Sequence, residues 1–366
     1  MGGYRMNIRV MIKRLSPYLL IAVCLILIVG CQSKEDKEDE LEELDAPQEE
    51  MNETETDETD IEEDAEREEE AGDETAGTVA RELYLLSKEG LVVPQIVELP
   101  RVEEVAMQAL EYLIDDGPVT NLLPNGFEAV LPAGTEVLGV NLDENGTLVV
   151  DLSEEFTEYD GAKERQIIEA MTYTLTQFES VDRIRLWING YEQTEMPVNG
   201  MPIGNGYSRV NGINIMDVEG VDLMESEAVT LYYPTQLGSQ FYHVPVTQHI
   251  EQGENLNHGI VEALLKGPSY ESGLLHVFNP NIELLDVGEL NEGVLSLEFT
   301  EEILADVNEA YIADEVIETI VLTLTDRPDI SGVNFSVENV EQIFNEHGVP
   351  YSESVTRDVF VPTGSF

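Results

Sequence analysis

Two kinds of hydrophobic spacing follow one another along the chain after residue 80. Runs in which apolar and polar residues alternate predict strands, and apolar residues every three or four positions predict helices. The first series predicts strands at 81–86 and 91–99, a helix at 102–114, a hairpin of 136–142 with 147–152, a helix at 162–178 and a strand at 183–188. The order is therefore β-β-α-β-β-α-β.

The same order returns in the second half of the chain. The second series predicts strands at 231–233 and 241–246, a helix around 260–265, a hairpin of 282–287 with 294–299, a helix at 312–324 and a strand at 332–337. Strands mixed with two helices, without regular β-α alternation, favour the α+β class. We expect each copy to form a small mixed or antiparallel sheet with both helices on one face.

Matching residues recur at a nearly constant distance of 147 to 150 positions. The matched pairs are Leu83-Tyr84 with Leu231-Tyr232, Gly117-Pro118 with Gly267-Pro268, Gly146 with Gly293, Gly200 with Gly348, Pro202 with Pro350 and Arg209 with Arg357. A fixed offset indicates an internal repeat, and each copy is long enough for its own core. The sequence predicts domains at 79–212 and 229–366. The linker at 213–228 is not rich in Gly or Ser, which is compatible with docked domains.

Three local signals add detail to the first copy. Pro94 interrupts the second strand and predicts an edge position or a bulge, because proline cannot donate to a ladder. Asn145-Gly146 lies between two alternating runs and predicts a hairpin turn with both residues at positive φ. Ser153 has the character of an N-cap before a short helical turn.

The first 30 residues have the organisation of a signal peptide. Four basic residues precede an apolar run at 18–29, which is short of the ~20 residues of a membrane span and fits the ~7–15 of a signal-peptide core. The run ends in Ile28-Val29-Gly30-Cys31, which resembles the lipobox of bacterial lipoproteins. The resemblance implies cleavage before Cys31, a lipid on its thiol, and anchoring at the extracytoplasmic face of a cell membrane. The alternative is an uncleaved anchor.

Residues 31–78 follow as an acidic segment. Positions 32–78 contain 24 Asp or Glu against three Lys or Arg and no aromatic residue. Such a segment cannot bury enough apolar surface to fold, so it predicts a disordered tether. We interpret it as a spacer between membrane and domains, with a docking tail for a basic partner as the alternative.

Charge limits the partners. The whole chain carries 75 Asp and Glu against 18 Lys and Arg, a formal net charge of −57. Nucleic-acid binding requires Lys and Arg against phosphates, so this class of partner is not expected.

Candidate metal and catalytic sites are weak. The histidines His243, His249, His258, His276 and His347 lack zinc-motif spacing, and the mature chain would keep no cysteine besides Cys31. Asn141-x-Asp143-x-Asn145 resembles the start of a calcium loop, but the twelfth position is Leu152 instead of Glu. Phosphate, dinucleotide and nucleophile-elbow motifs are absent from the sequence. We expect no catalytic residue, no cofactor and no metal site, and no small-molecule substrate.

Two residue groups keep alternatives open. Adjacent carboxylates such as Glu154-Glu155 and Glu301-Glu302 carry little information in so acidic a chain, although a hydrolase would need such a pair. Five aromatic residues could form a platform that binds a glycan or a peptide, or they could pack within the sheets, since aromatic residues favour strands. These five are Trp187, Tyr191, Tyr207, Tyr232 and Tyr233.

One stretch of the first copy resembles a known family. Leu131-Pro132-Ala133-Gly134-Thr135-Glu136-Val137-Leu138, followed by Val150-Asp151-Leu152-Ser153 and Phe156, is similar to the GerMN module of the GerM family of sporulation and spore-germination lipoproteins. The second copy departs from it at 278–282 and 297–299. The resemblance implies a fold similar to the ring-building folds of secretion machines. It also implies a non-catalytic assembly factor that helps place the channel and ring complex joining mother cell and forespore, on the mother-cell side of the intermembrane space.

The functional hypothesis is therefore a lipid-anchored adaptor in endospore formation and germination, with protein partners in an envelope complex. An envelope ligand- or peptidoglycan-binding module is the alternative, carried by the aromatic residues. A hydrolase is a third hypothesis, which would have to show turnover of a wall substrate.

Overall fold

The computed structural model describes residues 77–360, apart from 124, 219, 239 and 254. The predicted signal peptide at 1–30, Cys31 and residues 32–76 of the tether lie outside the described residues. Within the described part, no helix has the length and apolar character needed to cross a membrane.

The first copy contains two helices, α1 and α2, among eight strands. Its elements are β1 (Thr78–Ser87), β2 (Val92–Pro100), α1 (Val105–Glu111), β3 (Phe127–Glu128), β4 (Val137–Leu142), β5 (Thr147–Leu152), α2 (Glu164–Leu175), β6 (Arg183–Ile188), β7 (Tyr191–Glu192) and β8 (Tyr207–Ser208). All seven predicted elements are present, and β3, β7 and β8 are additional two-residue strands.

The second copy repeats this order but, among the described residues, has no equivalent of the short strands β3 and β7. Its elements are β9 (Ser226–Leu237), β10 (Gln240–Glu251), α3 (Leu256–Lys266), β11 (Leu284–Val287), β12 (Val294–Phe299), α4 (Asp314–Leu324), β13 (Gly332–Val337) and β14 (Val355–Thr356). The mixture of small sheets and few helices is the predicted α+β class.

Each copy has two sheets, which differs from the single sheet expected. The long hairpin β1–β2, joined by β3, forms one sheet, and β4-β5-β6-β7 forms a second, mixed sheet in which β5 and β6 run parallel. Thr174 of α2 and Gln177, two residues after the end of α2, explain the separation. The Thr174 hydroxyl accepts from the backbone N–H of Tyr84 at 2.9 Å and Gln177 accepts from that of Glu82 at 3.3 Å. The helix thereby occupies the edge of β1 that another strand would need.

The hydrophobic core explains why α2 is more buried than an amphipathic surface helix. Ten of its twelve residues are buried, because the helix contacts both the hairpin and the mixed sheet. The buried apolar residues of both copies form one continuous cluster, and the described residues belong to one compact unit. The division into domains at 212 and 229 stays a prediction.

Residues at the start of the predicted linker are packed. Ile213 is fully buried. The Asn214 side chain accepts from the backbone N–H of Val92 and donates to the carbonyl oxygens of Val92 and Pro245, at 2.7 to 2.8 Å. One linker residue therefore joins β2 of the first copy to β10 of the second.

The hairpin turn of the mixed sheet differs from the prediction. Gly146 adopts a positive φ of 71°, but Asn145 does not. Asp143 stabilises the turn instead, because its Oδ1 accepts from the backbone N–H groups of Asn145 and Thr147 at 2.8 and 2.9 Å. In the second copy both turn residues, Glu292 and Gly293, have positive φ.

The other local predictions fare differently. Pro94 lies in β2, at the edge of its sheet as expected. Ser153 precedes a short 3-10 turn, but it makes no capping bond there and its hydroxyl accepts from the backbone N–H of Glu136 at 3.0 Å. The helix predicted at 102–114 is shorter, because the Leu113 carbonyl bonds to the N–H groups of Val130 and Leu131.

Candidate functional site

A network of charged and aromatic side chains joins the two copies; we call it the seam. Tyr232 donates its hydroxyl hydrogen to Asp326 at 3.0 Å and accepts from Arg357 Nη2 at 3.1 Å. Arg209 of the first copy reaches the same Asp326 of the second at 3.5 Å. Three charges and a phenol are therefore linked across the repeat.

The two arginines of the seam are equivalent residues, although the rings on which they stack lie on different elements, α2 and β9. Arg209 lies 4.5 Å above the ring of Tyr173, and Arg357 lies 5.0 Å above that of Tyr232. Each arginine also donates to a carbonyl oxygen near the end of a helix, that of Tyr173 or Leu322. The guanidinium group suits such positions because it stacks on rings and presents several donors.

Helix side chains support the two central tyrosines in the same way. Thr174 binds the backbone N–H of Tyr84, and Thr323 binds that of Tyr232 at 2.9 Å. Tyr84 and Tyr232 are buried. Two of the matched pairs seen in the sequence, Tyr84 with Tyr232 and Arg209 with Arg357, thus lie where the copies meet.

Burial and neighbouring charges keep the tyrosines of the seam protonated and its arginines charged. Burial raises the pKa of Tyr232 to about 12, and burial raises that of Tyr84 well above its ordinary value. Burial alone would lower the pKa of Arg209 and Arg357, but the neighbouring tyrosines and carboxylates raise it overall. The phenols therefore remain neutral donors and the arginines remain cations, which suits a structural junction.

A pocket of about 70 Å³ opens beside the seam. It is lined by Glu82, Pro94 and Ile96 of the first copy and by Tyr232, His243, Glu318, Leu322, Arg357 and Phe360 of the second. His243 is 4% exposed, with Nδ1 3.3 Å from Glu318 Oε1 and Nε2 3.0 Å from Thr319 Oγ1. A histidine–carboxylate pair can move protons, but the lining residues include no serine, threonine or cysteine nucleophile.

Glu169 occupies in α2 the position that Glu318 occupies in α4. It is 1% exposed, and its Oε2 accepts from the backbone N–H of Asn214 at 3.1 Å. Its Oε1 has no partner within the described residues. Burial raises the pKa of Glu169 to about 7. A buried carboxyl group therefore titrates near neutrality beside the packed linker.

Each mixed sheet ends in an open edge strand. β4 pairs only with β5, and β11 pairs only with β12, among the strands of the described residues. Both strands contain a bulge next to an exposed leucine, Leu138 at 48% and Leu285 at 44% exposure. Unpaired backbone groups at a sheet edge are a template for another strand. The outer faces behind these edges differ: Val149 and Trp187 in the first copy stand where Ser296 and Ser336 stand in the second.

Comparison with known proteins decides the family. The model of the Germane family, described as "Sporulation and spore germination", matches residues 82–194 and 230–342. The spore germination protein GerM of Bacillus subtilis (strain 168) is 39% identical over 370 residues, covering 97% of this chain and all of the relative. The chain belongs to the GerM family.

A solved structure of this family agrees with the fold. The tandem GerMN domains of the sporulation protein GerM from Bacillus subtilis match with a TM-score of 0.72 and 42% identity, over 79% of this chain and all of that chain. The first GerMN domain of the same protein, solved by itself, is 52% identical over 36% of this chain, with a TM-score of 0.35. The chain is thus similar in fold to the tandem GerMN domains of that relative.

The aromatic candidates do not form one platform in this GerM protein. Tyr207, Tyr232 and Tyr233 are buried, and Tyr191 is 76% exposed. Trp187 is half-buried on the outer face of the first mixed sheet. Packing accounts for the three buried rings, and only Trp187 and Tyr191 remain accessible to a ligand.

The other candidates serve local structure. The described residues contain no group of three or more His, Cys, Asp or Glu that could hold a metal ion. Each adjacent carboxylate pair begins a 3-10 turn. A hydrogen bond from Ser153 lowers the pKa of Glu155, and one from Thr300 lowers that of Glu302. The two carboxylate pairs lie at equivalent positions of the two copies, which could have been recognised in the sequence.

Cys31 lies outside the described residues, so lipidation there stays a prediction.

Proposed function

We propose that this GerM-family protein is a lipid-anchored, non-catalytic adaptor that helps assemble the envelope complex of endospore formation and germination. The observation that carries the proposal is the combination of the seam with the open edges. The seam joins the two copies into one compact unit, and each mixed sheet keeps an unpaired edge strand. A compact protein with unpaired edge strands at its surface suits protein assembly better than catalysis.

The role in the complex rests on the family. GerM proteins act in sporulation and germination, and we extend this to placing the channel and ring complex between mother cell and forespore. The protein would act on the mother-cell side of the intermembrane space, where an open sheet edge could pair with a strand of a membrane complex. Strand addition supplies affinity through main-chain hydrogen bonds, and side-chain pockets supply specificity.

The anchor is part of the proposal. A diacylated Cys31 would hold the protein on the membrane, because each buried CH₂ contributes ~0.8 kcal/mol and two chains anchor durably. Metabolic labelling with a tagged fatty acid tests this: the unaltered chain should take up the label and lose its leader, and Cys31→Ser should do neither. An unaltered chain that is membrane-bound, unlabelled and still carries its leader would instead support the uncleaved anchor.

Crosslinking followed by affinity purification from sporulating cells tests the adaptor role. The intact lipoprotein should recover a second component of a membrane complex, and its deletion should impair spore formation. The Cys31→Ser chain is the matched control, since it keeps the folded domains and lacks the lipid. Recovery of no component, together with normal sporulation after deletion, would contradict the proposal.

Peptidoglycan binding is a second candidate because Trp187 lies on the open sheet face near Asp151 and Arg185, its partner and neighbour in the ladder. An indole beside hydrogen-bonding groups can stack on a sugar ring. Co-sedimentation with peptidoglycan that is lost in Trp187→Ala but kept in Tyr233→Phe would favour this function. No sedimentation of the unaltered protein would exclude it.

A further inference from the structure

The two open edge strands differ in length and charge. β4 has six residues, Val-Leu-Gly-Val-Asn-Leu, none of them charged, whereas β11 has four, Leu-Leu-Asp-Val, including Asp286. Natural proteins protect edge strands by shortening them and by placing charges on them. The second copy shows both forms of protection, and the first copy has neither.

The outward backbone groups of β4 have no strand partner within the described residues, although α1 contacts this strand. Asp143 donates its backbone N–H to the carbonyl oxygen of Thr147 on β5 at 2.9 Å. Inward and outward groups alternate in an antiparallel ladder, so the N–H and C=O groups of Val140 and Leu142 point away from β5. No strand within the described residues pairs with them.

The side chains around this edge are apolar. Leu138 is 48% exposed and Leu142 is 42% exposed, and Val149 lies half-buried on the neighbouring strand. An exposed, uncharged, apolar edge favours aggregation unless another strand covers it. In a protein whose residues 79–366 carry 51 acidic and 11 basic side chains, a neutral strand at the surface is a marked exception.

Carboxylates bracket the edge at both ends. Glu136 precedes β4, and Asp143 and Glu144 follow it. Hydrogen bonds from the backbone N–H groups of Thr147 and Asn145 lower the pKa of Asp143, which therefore stays ionised. A second copy pairing antiparallel through β4 would place these like charges opposite one another, which is destabilising. A strand with basic ends and an apolar centre would complement them.

We propose that the free edge of β4 in the first copy receives a β-strand of another protein, with Lys or Arg flanking an apolar centre. This inference rests on the proposed adaptor function and adds the place and the chemistry of the contact. The new strand would extend the mixed sheet to β-partner-β4-β5-β6, with its main chain bonded to Val140 and Leu142 and its apolar side chains beside Leu138 and Leu142. The edge of β11 would stay unpaired.

Synthetic peptides test this with the purified full-length lipoprotein in detergent. One peptide alternates Val and Thr between terminal lysines, and the other has the same centre between glutamates. The lysine peptide should protect the backbone amides of Val140 and Leu142 from hydrogen exchange and leave that of Val287, the equivalent of Val140, unchanged. The glutamate peptide should protect none of them.

Proline variants locate the contact. Val140→Pro removes an outward N–H without removing a bond to β5. It should therefore weaken the binding of the lysine peptide about tenfold. Val287→Pro at the equivalent position of β11 should leave the affinity unchanged. Glu136→Gln combined with Glu144→Gln should weaken binding and reduce its dependence on salt. Equal protection of β4 and β11, protection by neither peptide, or concentration-dependent pairing of β4 with itself would overturn the inference.

Cell experiments separate this inference from the adaptor function. If Val140→Pro still recovers the complex component and supports sporulation, β4 is not the contact, although the protein remains an adaptor. If the unaltered lipoprotein recovers no component, the adaptor function itself fails.

Discussion

The outer face of the first mixed sheet carries Val149 and Trp187, where the second carries Ser296 and Ser336. Several interior contacts, in contrast, are matched in both copies: Arg209 and Arg357 bind equivalent helix carbonyls, and Thr174 and Thr323 accept from the N–H groups of equivalent tyrosines. These inner contacts have therefore kept their chemistry, while the surfaces that face solvent have not. A repeat whose two halves shared one binding role would be expected to match on the outside as well.

The largest expected effect comes from breaking the seam. Arg357→Leu leaves Tyr232 with one partner and removes a buried cation, and should lower the free energy of unfolding by about 3 kcal/mol. Arg209→Leu should act in the same direction, because Asp326 loses its ion pair. Chemical denaturation followed by Trp187 fluorescence and by circular dichroism should show one shared transition in both variants. Destabilisation of one copy alone would contradict the single-unit account.

The next prediction concerns pH. The unfolded chain releases the Glu169 proton near 4.5 and the folded protein holds it to about 7, so the free energy of unfolding falls as pH rises between these values. Glu169→Gln should flatten this slope and stabilise the protein at pH 8 by roughly 2 kcal/mol. Denaturation at pH 5 and pH 8 measures it, with Glu318→Gln as the matched variant in the second copy. An unchanged slope in Glu169→Gln would refute the assignment.

A smaller effect tests the outer faces directly. Trp187→Ala removes a half-buried ring and should cost about 1.5 kcal/mol, whereas Ser336→Ala at the equivalent position should change stability by less than about 0.5 kcal/mol. Thermal unfolding of the two variants provides the comparison. Equal losses would mean that the two faces are packed alike.

The smallest expected effects test the matched interior. Thr174→Val and Thr323→Val each remove the acceptor of a buried tyrosine N–H, and each should cost about 1 kcal/mol. Similar values from urea denaturation would confirm that the copies use the same helix contact. A large loss in one variant and none in the other would show that the resemblance is geometric only.

Local features of this fold could be predicted from the sequence. Alternation placed the strands of the mixed sheet within one or two residues, and β6 matches its prediction at both ends. The strong signal arises because these strands bury one face. The turn at 143–146 shows the limit: Asn145-Gly146 predicted two residues at positive φ, but Asp143 supplied the hydrogen bonds and only Gly146 adopts it.

Long-range features could not be predicted. The repeat identified Arg209 and Arg357 as equivalent, but their roles depend on partners as far as 125 positions away. The second sheet was not predicted, because the side chains of Thr174 and Gln177 bind backbone N–H groups of β1. The periodicity of a strand also does not indicate which strands lie next to it. The open edge of β4 is likewise a property of the sheet, since its six residues read like any half-buried strand.

Site-specific photocrosslinking in sporulating cells would test the central claim most directly. A photoreactive residue at position 138 or at the equivalent position 285 of the intact lipoprotein samples the two open edges in turn. The account predicts an adduct with another protein from position 138, mapped to a strand with basic flanks and lost in Val140→Pro, and none from position 285. Equal adducts from both positions, or adducts only with a second copy of the chain, would contradict it.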